Sequence, residues 1–167
     1  MNGVSKSYAM TGWRIGYAAG DKDVIKAIAK IQSQSTTNPS SISQAAAVEA
    51  LNGTQEFISI RSLAFQERRD FVVNSLNAID GINCLKPDGA FYVFPRITSL
   101  LGKKVNGREL KNSLDVSMYL LEEGLVSTVP GDAFGLPGYI RFSYAASEIE
   151  LEEAVKRVKV AVSNLED

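Results

Sequence analysis

Histidine is absent from this 167-residue chain, and cysteine occurs once, at Cys84. The first absence excludes Ser–His and Cys–His nucleophile pairs and every His-ligated metal centre. The second excludes an internal disulfide framework and any Cys-rich zinc site. A dominant charge is lacking as well. The 18 basic and 19 acidic residues leave a net charge of -1, which argues against nucleic acid or an anionic membrane as the main partner. No apolar run approaches the roughly 20 residues of a membrane span. The opening MNGVSKSY carries no apolar leader segment, so the expected location is cytoplasmic. Chemistry in such a chain has to run on Lys, Tyr, Asp, Glu or Arg.

What is present is ordinary globular composition, 45% hydrophobic and 22% charged, enough for one good core. Asp21 is placed to cap a helix with Val24, Ile25, Ile28 and Ile31 on one face. Asn38 at a cap and Pro39 at a first helical position open a second helix, which Asn52-Gly53 stops. Ile58, Phe65, Val72 and Ile79 recur every seven residues and predict a long amphipathic helix, with Arg61 and the run Glu67-Arg68-Arg69-Asp70 on its wet side. After Gly81 the pattern turns to strand in GINCL, GAFYVF, GLVSTV and GYIRFSY. Between them a helix places Leu114, Met118 and Leu121 on one stripe and stops at Gly124. Ser147 with Glu150 forms a capping box for a last helix carrying Leu151, Val155, Val158, Val162 and Leu165 on one face. Residues 81–167 therefore read as a compact β-β-α-β-β-α layer. Earlier, Trp13–Ala19 reads as a strand, apolar on both faces, that needs sheet neighbours.

One stretch concentrates chemistry: GVSKSYAMTGWRIGY, residues 3–17. A lysine amine forms a Schiff base with a carbonyl when its surroundings let it shed its proton. An arginine fork matches phosphate oxygens and keeps its charge. Gly3 and Ser5 beside Lys6 let a planar ring approach the backbone, and Ser5 or Ser7 adds a hydroxyl. That set suits pyridoxal phosphate, with one group for the aldehyde and others for the phosphate.

GVSKSYAMTGWRIG resembles the pyridoxal-phosphate attachment motif of class I aminotransferases. GYAAGDKDVIKAIAKIQSQSTTNPSSISQAAAVEAL, PDGAFYVFPRI, VSTVPGDAFG and GYIRFSYAASEIELEEAVKRV are similar, in the same order, to segments of the bacterial aspartate aminotransferase (aspartate/prephenate) branch. The resemblance implies an α/β fold: the C-terminal small domain of a fold-type I transferase, of α+β type, with a remnant of the large domain at its N-terminus. It implies residues 1–54 as that remnant, 55–80 as a long interdomain helix and 81–167 as the small domain. It implies Lys6 as the Schiff-base lysine and proton shuttle, and Arg14 as a phosphate ligand assisted by Ser5. Many relatives have serine where this chain has Gly3. Arg141 is implied as the clamp on the substrate α-carboxylate. Tyr139, Arg141 and Ser143 alternate with Ile140, Phe142 and Tyr144 on a strand, and a bound carboxylate is a sensible partner for an arginine so flanked. The bland alternatives are a solvated Lys6, a structural ion pair at Arg14, and an Arg141 that caps a helix or pairs with Asp132. Trp13 reads as packing, Tyr92 and Cys84 as core, and Thr36, Thr37 and Asn38 as a helix cap.

In the family this lysine lies deep inside the chain, whereas here it is residue six. The family's aspartate for the ring nitrogen, its asparagine and tyrosine at the ring hydroxyl, its stacking aromatic and its glycine-rich turn have no counterpart in these residues. The chain therefore reads as the C-terminal part of an enzyme transferring an amino group from aspartate or glutamate to a 2-oxo acid, with prephenate a further acceptor. A homodimer is expected. Two other readings stay open: a non-catalytic domain that folds and oligomerises without cofactor, and a fold-type relative acting as a lyase or decarboxylase.

Overall fold

Short apolar blocks fenced by Gly and Pro make only short strands, which the fold combines with longer amphipathic helices. The computed structural model describes residues 1–167, which separate into two units, Met1–Ser62 and Leu63–Asp167. The first unit contains strands β1 (Asn2–Gly3) and β2 (Gly16–Tyr17), helices α1 (Lys22–Ser35) and α2 (Ser41–Asn52), and the opening turns of α3 (Glu56–Asn77). The second contains the rest of α3, then β3 (Tyr92–Val93), β4 (Lys104–Val105), β5 (Arg108–Glu109), α4 (Ser113–Glu122), β6 (Val129–Pro130), β7 (Ile140–Ser143) and α5 (Glu148–Ser163).

The second unit holds nearly the whole core. β7 lies between β3 and β6 in an antiparallel sheet of order β3-β7-β6, with Tyr92 opposite Ser143 and Val129 opposite Arg141. Because a strand alternates faces, Ile140 and Phe142 point inward with Val93, and Tyr144 continues the inward series. Leu151, Val155, Val158 and Ala161 of α5 and Val72, Val73 and Leu76 of α3 join them. Each fully buried aliphatic side chain there contributes roughly 1.5–3 kcal/mol. The capping box at Ser147 and Glu150 is formed, with both reciprocal hydrogen bonds present. Tyr119 of α4 donates its hydroxyl to the Ala161 carbonyl at 2.7 Å, tying α4 to α5.

Four expectations fail in this unit, each for a local reason. GINCL forms only a single bridge, between Asn83 and Arg96. The Asn77 side chain supplies the missing ladder, accepting from Cys84 N–H at 2.8 Å and donating to its carbonyl at 2.9 Å. In GLVSTV only Val129 becomes strand, because Leu125 adopts φ 53 and returns the chain so that Val126 N–H bonds the Leu120 carbonyl. On α4 the buried residues are Ser113, Val116, Ser117, Tyr119 and Leu120, whereas Leu114 and Leu121 are exposed. Ser113 can face the core because its hydroxyl accepts the Gly138 N–H there. Finally, Glu67–Asp70 is not wholly a wet face. The Arg69 side chain is only 12% exposed, pairs with Asp70 at 2.8 Å and donates to the Pro87 carbonyl.

In the first unit only Val4, Ser43 and Ala47 are buried. Asp21 caps α1 as its chemistry requires, accepting from Asp23 and Val24 N–H. The apolar face of α1 stays open: no α1 residue is buried, and Ile31 is 71% exposed. α2 begins two residues later than Asn38-Pro39 implies, with Ser40 at the N-cap. The Pro39 carbonyl is taken by the Gln44 and Asn38 side chains instead. Thr36 is the C-cap of α1. Trp13–Ala19 is not one strand. Trp13 sits in a 3-10 turn (Thr11–Trp13), 43% exposed rather than packed, and only Gly16–Tyr17 enters a ladder.

Candidate cofactor and substrate sites

Two glycines set the geometry of the lysine loop. β1 and β2 pair antiparallel, Asn2 with Tyr17 and Gly3 with Gly16, and so close residues 4–15 into one loop. Gly16 has no room for a side chain without pressure, since a β-carbon would lie 3.1 Å from the Asn2 carbonyl oxygen. At Gly3 the same atom would find only ordinary contacts, the nearest at 3.5 Å. A serine would therefore fit there sterically.

Within this loop Lys6 stands exposed on a turn whose carbonyl accepts the Ala9 N–H at 3.0 Å. Ser5 beside it is half-buried and Val4 is buried. Arg14 is exposed and donates one N–H to the Thr11 carbonyl at 3.1 Å. Ala9 and Arg14 both hold left-handed backbone, at φ 55 and 51. For residues with a β-carbon that conformation costs about 1–2 kcal/mol each, and such strain gathers at binding sites. Tyr8, which sequence reasoning passed over, anchors the loop. Its hydroxyl donates to Gln55 Oε1 at 2.8 Å, and its ring meets Phe57 edge-on at 6.0 Å. The loop thus carries an amine, a hydroxyl and a guanidinium fork on one closed segment.

The second candidate lies on the outer face of the β3-β7-β6 sheet. Arg141 is half-buried on β7 and makes no ion pair with Asp132. Its guanidinium carbon lies 5.3 Å from the Tyr92 ring centroid and 5.0 Å from that of Phe134. Tyr92, read from sequence as core, is instead 36% exposed on this face. Phe134 comes from a 3-10 turn (Gly131–Phe134) that follows β6. Alternating aromatic residues in GAFYVF and the PGDAFG turn were the available signal for both rings. Their convergence on one arginine depends on strand register, which no local pattern encodes. Cys84 plays no part here. Burial pushes its thiol up to about 11, which keeps it protonated and inert.

Residues 1–158 match the family described as aminotransferase class I and II. The aspartate aminotransferase of Rhizobium meliloti (strain 1021) is 56% identical over 166 residues, covering 99% of this chain and 40% of that protein. A Rickettsia prowazekii protein named "Probable aspartate/prephenate aminotransferase" is 55% identical, covering 99% of this chain and 42% of its own length. The crystal structure of the Rhizobium meliloti enzyme superposes with a TM-score of 0.93, covering 98% of this chain and 41% of that one. The chain thus spans about two fifths of the length of these relatives.

Proposed function

The chain belongs to the class I and II aminotransferases, and from that membership we propose that it serves amino-group transfer between an amino acid, aspartate or glutamate, and a 2-oxo acid, prephenate included. The observation carrying this reading is the lysine loop, where Lys6, Ser5 and Arg14 share one segment closed by the Gly3–Gly16 pair. The donor set fits pyridoxal phosphate: Lys6 offers the amine for its aldehyde, while the Arg14 fork and Ser5 hydroxyl offer donors for its phosphate. When bound, that group supplies an aldehyde and an aromatic ring that draws electrons from the substrate α-carbon. Lys6 then holds the group and carries a proton to and from the reacting carbon. Arg141 orients the substrate by its α-carboxylate. By the same family likeness we assign a homodimer acting in cytoplasmic amino-acid biosynthesis.

A second reading, a domain that folds without cofactor, draws on the distribution of the core. The first unit buries only Val4, Ser43 and Ala47, so the loop has little packing beneath it. One experiment separates the two. The chain is incubated with pyridoxal phosphate, reduced with borohydride and mapped by mass. The aminotransferase reading expects a single stoichiometric adduct on Lys6, lost in Lys6→Ala and weakened in Arg14→Ala. Scattered labelling of surface lysines would sink it and leave the second reading.

A further inference from the structure

Arg141 sits at the centre of an aromatic surface that the strand pairing assembles. Tyr92 is opposite Ser143 in the β3–β7 register, which makes it the diagonal neighbour of Arg141 on the same face. Diagonal neighbours lie within reach of an aromatic ring. Phe94, two residues beyond Tyr92, meets Phe134 edge-on at 5.7 Å and stacks on Tyr139 at 5.7 Å with 14° between planes. Phe134 is therefore backed by a second ring, and that ring by a third. Tyr92 is steadied from the other side by Phe91, edge-on at 5.4 Å.

The backbone carrying both rings is held as well. Ahead of Tyr92 the chain is latched by Arg69 on the Pro87 carbonyl at 3.2 Å and by the Tyr144 hydroxyl on the Ala90 carbonyl at 3.0 Å. Ala90 itself is left-handed, at φ 71. Ahead of Phe134, Gly131 donates its N–H to the Tyr139 carbonyl at 2.7 Å.

We infer that Tyr92 and Phe134 are positioning residues that hold the Arg141 guanidinium for a planar carboxylate, an inference that rests on the carboxylate role of Arg141 stated above. Rings attract a guanidinium through its π face and leave its N–H edge for in-plane acceptors. An arginine otherwise carries substantial rotamer freedom. A guanidinium already fixed by two rings loses less of it when a carboxylate arrives, so affinity rises without any contact between ring and ligand.

The test uses the full chain labelled with nitrogen-15, with succinate as the probe. The Arg141 Nε–Hε signal is identified by its loss in Arg141→Lys. In the wild type it is expected to be ring-shifted, slow to exchange and responsive to succinate. In Tyr92→Leu and Phe134→Leu it should move toward the position of a free arginine, and succinate affinity should fall about three- to fivefold in each. Tyr92→Phe, which keeps the ring, should restore both readouts. Both rings are partly exposed, Phe134 by 51%, so truncation leaves the core intact, and the continued shielding of Cys84 from thiol reagents checks this. An unchanged signal and unchanged affinity in both leucine variants would overturn the inference. A wild-type signal that ignores succinate yet loses its shift in both variants would overturn the carboxylate role of Arg141 and leave the ring clamp standing.

Discussion

A β-carbon at Gly131 would press on the carbonyl oxygens of Leu136 and Tyr139, the latter at 2.7 Å. Both obstacles are backbone, so neither can swing away. Gly131→Ala is expected to cost about 2 kcal/mol or more, read as a lower urea midpoint. It should also displace Phe134 and so the Arg141 signal. Cys84 gives a second expectation at this scale. Its folded pKa, about 11, lies above the ordinary thiol value, so burial favours the protonated form. The associated stability is complete below the unfolded value and is lost as pH rises through 11. At pH 8 the native thiol should resist a disulfide reagent that reacts fully in urea; fast native labelling would contradict its burial. Residue chemistry pointed to Lys6 and Arg14, and the family resemblance added Arg141. They could not point to Tyr92, whose side of the sheet depends on pairing with Ser143.

Elements read well where their signals are local. The capping box of α5 needs only Ser147 and Glu150, three residues apart, and it forms. Ser147→Ala should cost about 1 kcal/mol, measured by thermal or urea unfolding. The stripe assigned to α4 was rotated from the real one: its buried side carries Val116, Tyr119 and Leu120 together with small serines. Packing close to β6 and its following turn instead suits Ser113 and Ser117, and pushes Leu114 and Leu121 outward. α3 shows the converse. Glu67–Asp70 looks like a solvated run, yet Asp70 is held below the ordinary carboxylate range by hydrogen bonds from Arg69 and then Lys86. A depressed folded pKa contributes stability above the unfolded value, lost as pH falls below about 4. Asp70→Asn should therefore flatten the fall in urea midpoint between pH 5 and acid; an identical profile would remove the pairing from the stability account.

Across the whole chain, burial is unevenly shared. The second unit carries the core cluster, while the first buries three residues and leaves Val24, Ile28 and Ile31 of α1 open to solvent. Helices of 14 residues with no buried face are marginal in water. Amide exchange in 22–35 is expected to be fast, and that in β7 and α5 slow by orders of magnitude. Equal protection in both would show that α1 is stabilised by something other than its own burial. Composition, the helix caps, the alternation in GYIRFSY and the ordered family motifs are all properties of neighbours along the chain, and they suffice for the family, the fold class and the cofactor chemistry proposed. The β3–β7 register, the Asn77 side chain standing in for a ladder at Cys84, the choice of α4 face and the gathering of Tyr92 and Phe134 on Arg141 join residues from 7 to 51 positions apart. Those pairings are set by loop closure and core packing, whose energies come from contacts that do not exist until the chain has folded.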